Sequence, residues 1–394
     1  MAMPTMPLDF LPLPAFLLGA GLVVLALLDI FLTVLHIEAE SPFSNHLNRA
    51  VWRVMLTVVH LLPMSRAAGS HILAWGAPMM IVGDIAFWAL AYVLGFALIY
   101  WPLVHDPAFF SVNPEAGASS LGDALYFSGV SFFTLGYGDV APLHPLTRFL
   151  AVAEGALGLL TISLTVAYVL SVYPMITRQI ALAVSLNQEM AGRADGMVMA
   201  LRYVASGRSD VLVEWLREVN RELLHLAHAH GFYPVLYYVR PTNVHGSFAR
   251  ILVLIQAITI TLRYGLDPAA HRSIVTDPRL GILEEGLLYT LHSLGASIHL
   301  AETSEETRQA SATKLYEDFV ALRDLLDRPG LTVVSLDDGA ARTGYTRFRG
   351  ATDPYIEAYA RNIGYESEAL RATYGRWERG GALETPSEVE ASLS

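Results

Sequence analysis

The sequence predicts an all-α membrane protein with three membrane-spanning helices, a re-entrant helix between the second and third spans, and a helical domain outside the membrane. Long apolar runs fill the first 174 residues, and after them apolar residues recur at helical spacing among many charges. No run of strands alternates with helices. The chain has 394 residues, of which 53% are hydrophobic and only 16% are charged, against ~25% in an ordinary soluble domain. A disordered chain is excluded, and a wholly soluble one is not expected.

Charge and cysteine content exclude several classes of function. The net charge is −11 and the sequence has no basic stripe, which argues against nucleic acid as a partner. There is no cysteine, so disulfides, thiolate metal sites and cysteine nucleophiles are excluded.

The first apolar run, residues 13–36, is long enough to cross a ~30 Å hydrocarbon core as a helix. No lysine or arginine precedes it and no small-residue cleavage site follows, so we expect a retained membrane helix rather than a signal peptide. Residues 47–64 are shorter and carry Arg49, Arg53 and His60. They predict an amphipathic helix on the membrane surface, with a short fourth span as the alternative.

Residues 79–103 and 148–173 predict the second and third spans. The loops at 105–120 and 139–146 hold no lysine or arginine, whereas segment 37–78 holds three arginines. The positive-inside rule places that segment in the cytoplasm and the two loops outside. We therefore expect a multi-pass protein of the inner (cell) membrane, with its N-terminus outside and its long C-terminal part in the cytoplasm.

The segment between the second and third spans contains Thr-Leu-Gly-Tyr-Gly-Asp at 134–139. A bare cation needs oxygens in place of its water shell, and a stack of backbone carbonyls can supply them. Aligning successive carbonyls requires left-handed backbone at alternate residues, which Gly136 and Gly138 adopt cheaply. Thr134 can add its hydroxyl at the inner end, and Tyr137 can point outward to hold the diameter. The motif therefore predicts a cation-selective pore segment.

The preceding residues, 121–133, predict a short pore helix. Ser120 followed by Asp123 has the spacing of a capping box at its N-terminus. The C-terminal end of such a helix carries negative partial charge, which favours a cation beyond it.

Residues 80–173 resemble the potassium-channel pore family, with an outer helix, a pore helix, a filter and an inner helix. Tyr126 and Phe127 fall where that family often carries an aromatic cuff, and Gly158 falls at its inner-helix hinge. The inner helix is similar to that of voltage-gated potassium channels, except that Thr165-Val166-Ala167 replace Pro-Val-Pro. A glycine hinge is therefore expected rather than a proline-bent gate.

The resemblance implies K⁺ as the permeant ion, no organic cofactor, and a homotetramer in the lipid bilayer. It implies a K⁺ filter at Thr134, Leu135, Gly136, Tyr137 and Gly138, a pore mouth at Asp139, and cavity-lining side chains at Ile162, Val166 and Leu170. The sequence has no arginine repeat of a voltage sensor. It also has no Gly-x-Gly-x-x-Gly after a strand, so a nucleotide-binding regulatory domain is not supported. The regulatory ligand and the gating stimulus stay unnamed.

Four segments follow from this reasoning: 1–78 with the first span and the amphipathic helix, 79–174 as the pore domain, 175–378 as a helical cytoplasmic domain, and 379–394 as a disordered tail. Within the third, apolar stripes predict helices at about 209–230, 246–264, 281–301, 304–328 and 354–376. We expect the cytoplasmic domain to gate the pore at the inner helix.

Three acids lie within the predicted spans. Asp29 and Glu154 could line an ion path or form hydrogen bonds between helices. We favour the structural role for both, with Glu154 supporting the filter from behind. Asp84 is expected near the cytoplasmic interface and solvated.

The histidines His225, His228 and His230 have a spacing that could hold a transition metal. No carboxylate or cysteine completes a ligand set nearby, so a solvated or capping helix end is preferred, and titration near neutrality would also allow pH sensing.

Two further functions remain open. One is a weakly selective cation channel, and the other is a membrane-anchored signalling protein or enzyme with a vestigial pore. Because the sequence offers no nucleophile–base pair, phosphate loop or metal set, we expect no enzymatic activity.

Overall fold

The computed structural model describes residues 12–34, 41, 43–62, 65–112, 120–298 and 305–373. The chain divides into two compact units. The first unit comprises the residues up to Thr57, Trp75–Tyr173 and Phe232–Val235. The second comprises Val58–Ala74, Pro174–Gly231 and the residues from Leu236 onward. The division after Tyr173 lies one residue from the predicted end of the pore domain.

Helices dominate both units. The first elements along the chain are α1 (Pro12–Val34), α2 (Ser44–Leu61), α3 (Arg66–Ala74), α4 (Gly76–Tyr100), β1 (Phe110–Val112), α5 (Ser120–Phe132), β2 (Val140–Pro142) and α6 (Pro145–Glu189). The remaining α-helices are α7 (Met197–Met199), α8 (Ser209–Phe232), α9 (Phe248–Thr259), α10 (Arg272–Val275), α11 (Pro278–Ile298), α12 (Glu305–Leu326), α13 (Gly339–Asn362) and α14 (Ser367–Arg371). Two π-helical turns, Ala200–Ala205 and Ile260–Gly265, extend α7 and α9.

Helices α1 and α4 pack closely because two glycines meet where they cross. A Cβ atom built on Gly19 would lie 2.4 Å from the Gly95 carbonyl oxygen, and one built on Gly95 would lie 2.9 Å from the Gly19 carbonyl oxygen. Small residues allow this approach between apolar helices, where packing rather than the hydrophobic effect drives association. The first span is therefore fixed to the outer helix of the pore region.

Helix α6 is longer than the span that the sequence predicts. It runs for 45 residues with Pro174 inside it, a length of about 68 Å against a hydrocarbon core of ~30 Å. The predicted third span, 148–173, is only its first part. The same helix therefore continues from the first unit into the second.

The structure corrects the prediction of an all-α fold at one point. Strands β1 and β2 form a two-stranded antiparallel sheet in which Phe110 pairs with Pro142 and Val112 with Val140. These strands are parts of the two loops predicted at 105–120 and 139–146. The sheet brings the segment before the pore helix beside the residues that directly follow Asp139.

Four helical stretches of the described chain are long and apolar enough to cross a membrane: Leu13–Val34, Ala67–Tyr100, Pro145–Glu189 and Phe248–Gly265. The fourth differs from the others because every residue of α9 is buried within the chain. Its apolar composition is thus that of a protein core, and α11 and α13 pack against it.

The last predicted helix, 354–376, has different bounds in the structure. Helix α13 begins at Gly339, where the Asp338 side chain caps the N–H groups of Ala340 and Ala341. It ends at Asn362, and the short α14 follows. The helix predicted at 354–376 would begin at Pro354, but this proline lies inside α13. The predicted disordered tail, 379–394, lies outside the described residues.

Candidate functional site

Helix α5, the predicted pore helix, leads directly into the Thr-Leu-Gly-Tyr-Gly-Asp segment. The Phe133 N–H donates to the Gly129 carbonyl at 3.0 Å, and the Leu135 N–H donates to the Val130 carbonyl at 2.8 Å. These bonds extend the last helical turn as far as Leu135. The following backbone is extended and irregular, as expected of a segment that exposes carbonyls to an ion path.

The backbone of this segment alternates in handedness. Thr134, Gly136 and Gly138 have φ values of 57°, 62° and 81°, whereas Leu135 and Tyr137 keep negative φ. The left-handed conformations of the two glycines agree with the sequence-based prediction. Positive φ at Thr134 was not predicted, and a β-branched residue there is a genuine outlier. Strained backbone of this kind concentrates at functional sites.

At the outer end of the segment, Asp139 is held by the pore helix of the same chain. The Tyr126 hydroxyl donates to Asp139 Oδ2 at 2.7 Å, and the Val140 N–H donates to Asp139 Oδ1 at 3.1 Å. Tyr137 is 68% exposed in the single chain. Tyr126 thus contacts Asp139, the residue predicted at the pore mouth.

Phe127 takes a different position from its neighbour. It is buried in an aromatic cluster, with its ring centroid 5.1 Å from those of Tyr100 and Phe110. Edge-on ring pairs of this geometry stabilise a packed core. Its support for the filter is therefore indirect, through the packing of α5 against α4.

Glu154 of α6 is fully buried and joins three helices. Its Oε1 atom accepts from Ser128 Oγ of α5 at 2.5 Å, and its Oε2 atom accepts from the Tyr100 hydroxyl of α4 at 3.1 Å. These contacts favour the role of structural support over that of an ion-path carboxylate. Sequence reasoning missed Ser128 and Tyr100, because hydrogen bonds between distant segments leave no local pattern.

Gly158 lies against the end of the pore helix. A Cβ atom there would be 2.2 Å from the Phe132 carbonyl oxygen, far closer than any side chain permits. One turn earlier, a Cβ on Gly155 would lie 3.4 Å from the Ser131 carbonyl oxygen. Close packing of α6 on α5 is thus sufficient reason for glycine at 158, and its role as a hinge stays a prediction.

The predicted cavity residues share one exposed stripe of α6. Ile162, Val166 and Leu170 are 51%, 54% and 68% exposed. Their spacing of four residues places them on one helix face. In the single chain this face is therefore available to line a cavity or to contact another subunit.

The predicted capping pair at the start of α5 has other partners. Ser120 Oγ accepts a hydrogen bond from the Trp101 indole at 3.0 Å. The Asp123 carboxylate lies 2.7 Å from His105 Nε2. Both contacts fasten the start of the pore helix to the segment after α4.

The two acids of the first and second spans are both buried. Asp29 forms hydrogen bonds with the start of α2 and with Trp88 of α4, which agrees with the structural role. The prediction for Asp84 is wrong, because this side chain is only 3% exposed and contacts Asn48 of α2. Its position along α4 suggested an interface, but α2 covers it.

The three histidines of α8 lie in different environments, and His230 is buried rather than part of a solvated helix end. Among the described residues there is no group of three or more His, Cys, Asp or Glu side chains that could hold a metal ion. His230 is buried, stacks on Phe248 at 4.2 Å and places Nδ1 2.7 Å from the Leu226 carbonyl. Burial lowers the pKa of His230 to about 4. His225 and His228 are exposed.

Comparisons with known proteins find sequence similarity in the part of the chain that contains this segment. Residues 87–173, which span α5, the filter segment and the first part of α6, match the family model described as an ion channel. The chain is also similar to the uncharacterized membrane protein YdjJ of Bacillus subtilis, at 27% identity over 292 residues, covering 72% of this chain and 80% of YdjJ. These matches support a channel function in a multi-pass membrane protein.

Two further relatives are shorter. Protein LctB of Bacillus caldotenax is 34% identical over 110 residues, covering 27% of this chain and 78% of that protein. Protein LctB of Geobacillus stearothermophilus is 40% identical over 76 residues, covering 18% of this chain and 56% of that protein. No solved structure gives a significant match. The alignment with YdjJ is longer than the ion-channel match, so the similarity also includes residues outside 87–173.

Proposed function

We propose that this protein is a potassium-selective channel that passes K⁺ down its electrochemical gradient and carries out no enzymatic reaction. The observation that carries the proposal is the alternating backbone at Thr134, Gly136 and Gly138. Alternation turns successive carbonyl oxygens toward one side of the strand, which is the arrangement that replaces the hydration shell of a cation. The ion-channel match at 87–173 supports the same interpretation.

The carbonyl oxygens of one chain cannot surround an ion, so the proposal requires several copies of the chain. The resemblance to potassium-channel pores implies four. Leu135 and Tyr137 are more than half exposed in the single chain, as is the α6 stripe that contains Ile162. Burial of these apolar side chains between subunits would offset the cost of their exposure to water. We therefore propose a homotetramer in the lipid bilayer.

The proposed path begins at Asp139, whose carboxylate concentrates cations at the outer mouth. K⁺ then exchanges water for the carbonyls of Thr134, Leu135, Gly136 and Tyr137. A water-filled cavity lined by Ile162, Val166 and Leu170 receives it on the cytoplasmic side. No bond is made or broken, so K⁺ is the cargo of the protein and not a cofactor.

We also propose that the second unit gates the pore through α6. The helix passes from the inner-helix region into that unit without interruption. There, Arg178 forms a two-bond ion pair with Glu222 of α8, at 2.5 and 2.7 Å. A change in the second unit can therefore reach the inner helix along the same helix, which contains Pro174 at the unit boundary.

The test is ion flux into liposomes that contain the purified full-length protein. We expect K⁺ to pass far better than Na⁺ and Ba²⁺ to block the flux. Gly136→Asp should abolish flux, because the side chain strains a left-handed residue and places a charge in the filter. The conservative control Gly21→Ala lies on α1, where a Cβ meets no atom within 4 Å, and should conduct normally.

Equal permeation of K⁺ and Na⁺ would contradict the selectivity and support the weakly selective channel instead. Unchanged biological activity of Gly136→Asp would contradict a channel function altogether and favour a signalling protein or enzyme.

A further inference from the structure

A buried polar cluster lies where α1, α2 and α4 meet. It contains Asp29, Ser44, Asn48, Asp84 and Trp88, none of which is more than 5% exposed. Two carboxyl groups in one buried cluster are expensive unless their charges are compensated. Among the described residues, no arginine forms an ion pair with either of them. The hydrogen bonds of each carboxyl group therefore decide its protonation.

Both carboxyl oxygens of Asp29 have hydrogen-bond donors. Its Oδ1 atom accepts from the N–H groups of Phe43 and Ser44 at 2.9 and 3.3 Å. Its Oδ2 atom accepts from Ser44 Oγ at 2.5 Å and from the Trp88 indole at 2.9 Å. Asp29 is thus held by four donors, two of them N–H groups at the start of α2.

Asp84 has fewer hydrogen-bond donors than Asp29. Its Oδ2 atom accepts from Asn48 Nδ2 at 3.2 Å, but its Oδ1 atom is buried without a hydrogen-bond partner. The Oδ1 atom of Asn48 is buried without a partner as well. The hydroxyl hydrogen of Ser44 is already donated to Asp29. Two acceptors on hydrogen-bonded side chains thus lack a donor.

One proton satisfies both acceptors. A neutral carboxylic acid has one O–H donor, and a primary amide has one acceptor and two donors. The two groups pair through parallel hydrogen bonds, with N–H to one carboxyl oxygen and O–H to the amide oxygen. The first bond is present between Asn48 and Asp84, and the two unpartnered oxygens are those that the second bond joins.

We propose that Asp84 and Asn48 form a buried binding site for a single proton. With the proton bound, the two side chains form a neutral acid–amide ring that links α4 to α2. The charged and titratable groups facing it are Asp29 of α1 and Tyr168 of α6. An unprotonated Asp84 would leave its Oδ1 atom and that of Asn48 buried without a donor. Two free oxygens are too few to replace the water shell of a metal ion, which takes six or more oxygen ligands in hard-cation sites.

This site is independent of the ion selectivity of the filter. Loss of the proton would leave a buried carboxylate next to the Asp29 carboxyl group and remove one of the two hydrogen bonds of the acid–amide ring. Because Tyr168 belongs to α6, the change would occur beside the helix that carries the proposed cavity residues. The site therefore makes the packing of the first unit sensitive to pH.

Infrared spectroscopy of the full-length protein in lipid vesicles tests the protonation directly. We expect the carboxylic-acid C=O band of a protonated, buried aspartic acid at neutral pH, and its loss in Asp84→Asn. Asp29→Asn and the exposed Asp210→Asn should keep the band. A spectrum in which Asp84→Asn retains the full band, or in which Asp29→Asn removes it, would overturn the assignment.

Thermal unfolding distinguishes a proton from a metal ion. The folded protein holds a proton that the unfolded chain releases, so the melting temperature of the wild type should fall as pH rises. Asp84→Asn replaces the acid of the ring by an amide and should fold. Its melting temperature should not show this decrease with rising pH. An identical pH slope in wild type and Asp84→Asn contradicts the proposal. If the melting temperature of the wild type rises when Na⁺ replaces choline, and that of Asp84→Asn does not, the site binds a metal ion instead of a proton.

Discussion

At the scale of single residues, a substitution at Gly158 can distinguish a role in close helix packing from a role as a hinge. The Cβ of Gly158→Ala would lie 2.2 Å from the Phe132 carbonyl oxygen, so α6 must move away from the pore helix. Overpacking of this kind costs typically 1–3 kcal/mol. We expect Gly158→Ala to lower the melting temperature of the purified protein and to reduce flux.

The matched control is Gly155→Ala, one turn away on the same helix. Its Cβ would lie 3.4 Å from the Ser131 carbonyl oxygen, an ordinary contact, so its melting temperature should change much less. If Gly158→Ala kept the wild-type melting temperature but altered channel opening, the glycine would act as a hinge and the packing explanation would fail.

The residues of the filter segment show what a sequence can and cannot predict about a site. Left-handed backbone at Gly136 and Gly138 followed from residue type and spacing. Positive φ at Thr134 did not, because its residue type disfavours that conformation and only the surrounding structure enforces it. The burial of Asp84 was missed for another reason, since it depends on where α2 packs and not on the position of Asp84 along its own helix.

At the scale of elements, the ion pair between α6 and α8 offers a test of coupling. Arg178 holds the pKa of Glu222 below its ordinary value through two hydrogen bonds. Arg178→Glu places two acids together and should shift the open probability in single-channel recordings. The swap Arg178→Glu with Glu222→Arg restores opposite charges and should return it toward the wild-type value.

The exposed pair Arg217 and Glu214 of α8, in which Glu214 also contacts Arg279 of α11, provides the control for that swap. Reversing its charges should leave the open probability unchanged, because exposed pairs contribute little and this pair does not touch α6. If both swaps had the same effect, coupling through Arg178 and Glu222 would be ruled out.

His230 makes the stability of the second unit depend on pH. Its pKa is lowered to about 4 in the folded protein, against an ordinary value of ~6.5. The unfolded chain therefore binds more protons between these values, and the free energy of unfolding should fall as pH drops from ~6.5 to ~4. The loss is on the order of 3 kcal/mol.

Thermal unfolding of the full-length protein across this range measures the effect. His230→Gln should flatten the acid side of the profile, because the buried titrating group is gone. His225→Gln, an exposed position on the same helix, should keep the wild-type profile. Equal profiles for wild type and His230→Gln would contradict the assignment.

Element bounds were predictable where hydrophobicity decides them and not where other forces do. The apolar runs located α1, α4 and α5 to within a few residues. The extension of α6 to Glu189 escaped prediction because its polar continuation has no membrane pattern. Strands β1 and β2 have only three residues each, too few for a recognisable alternation.

At the scale of the whole molecule, Arg250 connects the end of α6 with the C-terminal part of the second unit. It is fully buried, and its five N–H groups donate to Asn187 Oδ1 and to the carbonyls of Gly192, Leu370 and Ala372. Only a guanidinium fork has this many donors. Two segments distant in sequence, 187–192 and 370–372, are therefore joined by one side chain.

We expect Arg250→Met to destabilise the second unit by at least ~3 kcal/mol, since several buried acceptors would lose their donor. Arg250→Lys should recover part of the loss, because an ammonium group has three donors. The exposed Arg208→Met serves as the control. Denaturant unfolding of the full-length protein measures all three, and equal midpoints for Arg250→Met and Arg208→Met would contradict this role.

The division into two units was visible in the sequence as a change in charge pattern near residue 174. The contributions of Val58–Ala74 to the second unit and of Phe232–Val235 to the first were not. Both depend on tertiary contacts between segments far apart in the chain, which a linear pattern of hydrophobicity does not record.

The hydrogen bond from Trp88 to Asp29 has a consequence for how the protein is made. The two residues are 59 positions apart, so at typical rates of synthesis Trp88 emerges roughly 3 to 12 s after Asp29. During that interval the first span holds a carboxyl group that costs about 2.5–3.5 kcal/mol in the membrane. The hydrogen bonds that Asp29 makes in the folded protein form only when the start of α2 and then Trp88 of α4 have been synthesised, so α1 is first made without them.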